Sequence, residues 1–178
     1  MTPSSPVSKS EFPLLAAQPG LHYLDSAATA QIHRSALEAL VRHETESRAN
    51  VMRGTYALAE AADGAYESAR AAAARFLGVA AEQIVFTSGA TAALNLAAHS
   101  FGATLKAGDR VLVSQAEHHS NFVPWLMLRE RQGIELDFIP VLADGRLDLS
   151  SLPRLLGSRT RLVAVTQCSN VTGAITDV

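Results

Sequence analysis

The chain has 178 residues, 48% of them hydrophobic, and a formal net charge of −2. That length suffices for one domain with a sizeable core, and the composition excludes a disordered chain. The charge gives no reason to expect nucleic acid or an acidic membrane, no apolar run approaches the roughly 20 residues that span a bilayer, and a single cysteine, Cys168, excludes an internal disulfide and points to a reducing cytoplasm.

The opening "MTPSSPVSKSEFPLL" lacks the basic-then-apolar order of a secretory signal and reads as a mobile leader ending near Phe12. "LHYLDSAA" (21–28) reads as an extended segment entering a turn. "HRSALEALVRHETESR" (33–48) has helical spacing, with Ser35 as its expected cap. The pattern breaks at Gly54. An alanine-rich helix follows over 59–78, with Gly78 as its stop.

From there strands and helices alternate. Strands are expected over 83–89, 109–115, 134–141 and 161–170, and helices over 90–102, 120–133 and 148–157, with Pro124 in a first turn. Such alternation predicts an α/β fold with a parallel sheet. The apolar strand runs suit a sheet covered on both faces. The last strand would ordinarily lead into another covering helix, so the sheet is expected to continue beyond Val178.

In open α/β sheets, ligands bind beyond the carboxyl ends of the strands. Three small, polar clusters fall there: Thr87–Gly89, Ser114–His118 and Thr166–Asn170. "TSGAT" fits either an anion site at a helix N-terminus or an ordinary turn. No G-x-G, G-K-[ST], HExxH, C-x-x-C or G-x-S-x-G motif occurs. The adjacent His118 and His119 are poorly spaced for a shared metal, whereas a strand-end position favours a ligand-facing His118 ring. Asn170 is either a donor to a ligand oxygen or a turn cap. Cys168, in an apolar strand, reads as a small buried hydrophobe.

Taken together, "YLDSAAT", "RGTYALA", "IVFTSGATAALNLAA", "GDRVLVSQAEHHSNFVPWL" and "LVAVTQCSNVTG" resemble the pyridoxal-phosphate-dependent cysteine desulfurases, in the SufS/CsdA-like group of the class V aminotransferases. The resemblance covers about residues 10–178 and matches the amino-terminal portion of such enzymes. It implies the large domain of aminotransferase fold type I, with residues 1–20 as leader and first segment and 21–178 as a partial large domain. The implied activity takes sulfur from L-cysteine, leaving L-alanine, for iron–sulfur cluster assembly. The implied partners are L-cysteine or a similar amino acid, a sulfur-acceptor protein and a second copy in a homodimer; the implied location is cytoplasmic.

By matched motif, Ala90 and Thr91 would hold the cofactor phosphate, His118 would stack on the pyridine ring, and Asn170 would contact its hydroxyl oxygen. Ala27 and Arg53 would lie near the substrate entrance. Two positions depart from the family pattern: Met52 stands where a histidine is usual, and Ala92 where a glutamate is usual.

Pyridoxal phosphate bonds to a lysine amine in its pocket. The chain has only Lys9, in the leader, and Lys106, in a turn before a strand. Neither suits that role, and Cys168 does not match the family's sulfur-accepting cysteine, so no catalytic residue is assigned and the chain alone is expected to be inactive. Two other readings are a non-catalytic, truncated relative acting as a binding module, and a selenocysteine lyase or other class V enzyme on the same fold.

Overall fold

The computed structural model describes residues 7–177, which group into two compact units divided between Val85 and Phe86. The first six residues of the expected leader lie outside the described residues. Just after them, a 3-10 turn at Lys9–Glu11, with Ser8 as its cap, runs into helix α1, Pro13–Ala17.

The rest of the first unit is mainly helical. Residues 21–25 form no regular element, and a turn follows, closed by bonds from the Ala28 and Thr29 N–H groups to the Asp25 carbonyl, as the sequence suggests. Helix α2, Arg34–Arg42, runs on through one π turn at His43–Ser47. Its cap is His33, not Ser35: the His33 ring accepts the Ser35 N–H at 3.3 Å, because residue 33 is the last with extended backbone before the helix. Helix α3, Ala57–Leu77, is the alanine-rich segment, and it ends where Gly78 adopts a left-handed φ of 70°. Among the described residues of this unit, the buried apolar ones are few, and three of them are alanines: Ala59, Ala62, Ala74 and Ile84.

The expected strand over 83–89 does not form. Residues 81–83 make a 3-10 turn, and the extended backbone after it has no ladder partner among the described residues. A β-branched run favours extended structure, but a strand requires a neighbour for its N–H and C=O groups.

The second unit carries the sheet. Helix α4 spans Ala90–Gly102 and α5 spans Val123–Gln132, with Pro124 in its first turn; α6 is the short Leu152–Leu155. Strands β1 (Arg110–Ser114), β2 (Glu135–Ile139) and β3 (Thr160–Ala164) pair in parallel in the order β2-β1-β3. β1, in the centre, is buried on both faces. Val111 and Val113 meet Ala98 of α4, Trp125 and Leu128 of α5, and Ile134, while Leu112 turns the other way, toward Ile139 and Leu147. The edge strands are less covered, with Phe138 and Val163 over a third exposed, so double coverage holds for β1 alone.

α4 and α5 pack closely at Gly102, where an added Cβ would lie 2.5 Å from a Leu128 methyl. Among the described residues, no helix is long and apolar enough to cross a membrane.

Candidate functional site

The polar residues of interest in the second unit gather at the carboxyl ends of β1 and β3. The β1–β3 ladder stops at the Val113–Ala164 pair. Beyond it a carboxylate joins the two strands. Glu117 Oε1 accepts the Thr166 N–H at 2.6 Å and the Ser114 hydroxyl, and its Oε2 accepts the Asn121 amide at 2.7 Å. Glu117 is half-buried, and each of these three partners donates to it.

His118 caps the 3-10 turn His119–Asn121. Its Nδ1 accepts the Ser120 N–H at 3.1 Å, and the Ser120 hydroxyl lies 2.8 Å from the same atom. A backbone N–H can only donate, so the proton of the neutral ring sits on Nε2. This cap fixes the orientation of an exposed ring. The rings of His118 and His119 are 6.3 Å apart and tilted by 54°. His119 lines a cleft with Gln115, Phe122 and Phe138 that also reaches Ser114 and Glu117. Among the described residues, no three metal-ligating side chains cluster.

Helix α4 packs against the turn that His118 caps. Gly89 precedes α4 and supplies no side-chain cap, and the Thr87 hydroxyl is turned to the Gly89 carbonyl at 3.0 Å. Ala90 and Thr91, both exposed, therefore open a thirteen-residue helix whose first N–H groups have no side-chain cap. Such an end attracts anions through its N–H groups and its dipole, and the Thr91 hydroxyl adds a donor.

Asn170 is exposed, in a tight turn after β3. The turn is built on Ser169, whose buried hydroxyl accepts the N–H groups of Val171 and Thr172 at 3.3 and 3.2 Å. Its ends are tied by the Ser169 N–H on the Ala174 carbonyl. Cys168 lies outside any strand and is exposed, contrary to the sequence reading; β3 ends at Ala164, and the chain then leaves the sheet as a loop. Its thiol points at the Gly173 carbonyl, 3.8 Å away.

Ala27 and Arg53 belong to the first unit. Ala27 sits within the turn closed on Asp25, and the Tyr23 hydroxyl braces that loop through the Thr29 carbonyl at 2.6 Å. Arg53 is exposed. It lies between Met52, whose N–H is held by the Asp63 carboxylate of α3, and Gly54, where an added Cβ would sit 2.2 Å from the Ala59 Cβ. The structure thus joins the elements carrying Ala90, Thr91, His118 and Asn170, and holds Ala27 and Arg53 in the other unit.

The two lysines lie elsewhere. Lys9 donates to the Leu21 carbonyl at 2.7 Å within the first unit. Lys106 lies at the amino end of β1, opposite the end that carries His118, in the turn held by Asp109.

Sequence reasoning passed over Glu117, Ser169 and Ser120. Glu117 sits inside a stretch chosen for its histidines. Its spacing, three after Ser114 and four before Asn121, is the available signal, since it places two partners for one carboxylate within reach.

The aminotransferase class-V family matches residues 22–178. A cysteine desulfurase of Pectobacterium carotovorum subsp. carotovorum (strain PC1) is 45% identical over 175 residues, which are 96% of this chain and 43% of that protein. Among solved structures, the apo cysteine desulfurase of Thermococcus onnurineus NA1 superposes with a TM-score of 0.86 at 35% identity, over 94% of this chain and 41% of that one. The cysteine desulfurase CsdA of Escherichia coli, in an S-sulfonic acid form, gives 0.80 at 38% identity, over 95% and 42%. The chain thus spans less than half the length of these relatives.

Proposed function

From a chain that belongs to the aminotransferase class-V family, we infer a cysteine desulfurase-type protein whose 178 residues supply the phosphate-facing and ring-facing sides of a pyridoxal phosphate site. The observation that carries this reading is the opening of α4, without a side-chain cap, packed against the turn that fixes His118. The donor set fits the group. The helix N–H groups at Ala90 and Thr91, with the Thr91 hydroxyl, bind phosphate. The exposed His118 ring offers a flat face for a pyridine, and the Asn170 amide offers a donor for its hydroxyl oxygen. Ala27 and Arg53 serve the substrate side, where a guanidinium suits an amino-acid carboxylate.

When bound to a lysine, the cofactor acts as an electron sink that labilises bonds of an amino acid. In the reaction proposed for the whole protein, the carbon–sulfur bond of L-cysteine breaks and L-alanine leaves. The sulfur passes to an enzyme thiol as a persulfide, and from there to an acceptor protein for iron–sulfur cluster assembly. Neither Lys9 nor Lys106 takes the cofactor's lysine role, and Cys168 is given none. A cytoplasmic homodimer is the proposed setting.

Titration of the chain with pyridoxal phosphate, followed by absorbance, tests the reading. Saturable binding is expected, weakened about tenfold by Thr91→Asp, which sets a carboxylate against the phosphate, and by His118→Ala. Absence of saturable binding, or binding indifferent to both changes, contradicts it.

A further inference from the structure

We propose that Glu117 is a positioning residue: it sets the spacing between the His118 ring and the Asn170 turn, and so fixes the ring-facing side of the pocket. The proposal rests on the cofactor reading above. Its basis is the place where the sheet stops. After Val113 and Ala164, β1 and β3 share no further ladder bond, and each strand continues into a loop bearing one ring-facing residue. Glu117 spans that opening. One of its oxygens holds Ser114 at the end of β1 and the backbone of Thr166 beyond β3, and the other holds Asn121 in the turn capped by His118. His118 is its immediate neighbour. Thr166 leads to Asn170 through a second tie, its hydroxyl on the Cys168 carbonyl at 2.9 Å. One carboxylate therefore governs both loops, and its removal leaves the half-buried Thr166 N–H without its acceptor.

All three partners are donors, so what the site requires of residue 117 is acceptor geometry and reach. Glutamine can meet this. Its carbonyl oxygen replaces Oε1 and keeps Ser114 and Thr166, while its amide faces Asn121, whose own amide turns over to accept. That rotation gives up the long 3.4 Å bond from the buried Trp125 indole N–H, a smaller loss than that of the three bonds Glu117 accepts. Leucine fills the space and accepts nothing. Aspartate keeps the carboxyl group but falls one methylene short.

The experiment compares the native protein with Glu117→Gln and Glu117→Leu, with Glu117→Asp in place of leucine should that variant fail to fold. Two quantities are read: amide hydrogen exchange across 114–121 and 165–170, and the affinity and absorbance spectrum of bound pyridoxal phosphate. Leucine or aspartate is expected to speed exchange at Thr166 at least tenfold and to weaken binding about tenfold, with exchange across 57–77 unchanged. Glutamine is expected to stay within about threefold of native on both. Native protection of Thr166 in the leucine and aspartate variants overturns the proposal, as does a glutamine variant as impaired as leucine. Native cofactor binding that leucine leaves untouched overturns the positioning role alone. A native protein that binds no pyridoxal phosphate, with Thr166 still loosened by leucine, overturns the cofactor reading and the role built on it.

Discussion

Met52 has a backbone φ of 70°, a left-handed conformation that costs a side-chain-bearing residue about 1 kcal/mol or more. The Asp63 carboxylate holds its N–H there, and the side chain is 66% exposed, so little packing repays the strain. Met52→Gly is expected to stabilise the first unit by about 0.5–1 kcal/mol, read as a higher melting temperature. An unchanged or lower melting temperature would mean that the methionine side chain makes a compensating contact. At this scale the sequence misled in a consistent way. His33 and His118 both cap turns through Nδ1 on the N–H two residues on, a task expected of Ser35. Histidine is not among the preferred caps, so only backbone geometry exposes the role. Cys168 was misplaced for a related reason: "RLVAVTQC" is apolar enough to read as strand to its end, yet pairing with β1 stops at Ala164.

Among the elements, β1 was the most legible, because a strand buried on both faces must be continuously apolar. What periodicity could not give was how the strands lock at their amino ends. The β1–β3 register shifts between Arg110 and Val111, which leaves Arg161 as the extra residue on β3. Its guanidinium bonds Asp109 at 3.0 Å. Across the other ladder Arg110 meets Glu135 at 2.9 Å and Asp137 at 3.2 Å, and Arg159 reaches Glu135 at 2.8 Å. The Lys106 backbone N–H and the Arg161 guanidinium hold Asp109 below the usual carboxylate range, and Arg159, with Arg110, does the same for Glu135. A depressed folded pKa contributes stability that is present above the unfolded value, about 4, and is lost as pH falls through the folded one. Melting temperature is therefore expected to fall as pH drops below about 4, less steeply in Asp109→Asn. An identical acid dependence in that variant would show that Asp109 does not contribute to it. The segment 83–89 shows the limit of local reading: its composition is that of a strand, and only a neighbour could make it one.

On the scale of the whole chain, family membership was legible because motifs spread over both units keep their order, and the proposed site rests on the same motifs. The join at Glu117 was not, since it rests on the approach of segments 49 residues apart. Large apolar side chains remain uncovered in each unit: Leu24 is 93% exposed and Phe76 89%, Val171 83% and Ile175 73%. Surface of this kind drives association. The isolated 178-residue chain is expected to self-associate in sedimentation analysis at micromolar concentration, and a monodisperse monomer would show that each unit manages its own apolar surface.

These residues are proposed as the cofactor-facing side of a desulfurase site, without the lysine that the chemistry requires. The most direct measurement is alanine released from L-cysteine by the purified 178-residue chain with saturating pyridoxal phosphate. No alanine above that formed by free cofactor is expected. Alanine that rises in proportion to the chain and disappears in His118→Ala would contradict it, and would mean that Lys9 or Lys106 serves the site after all.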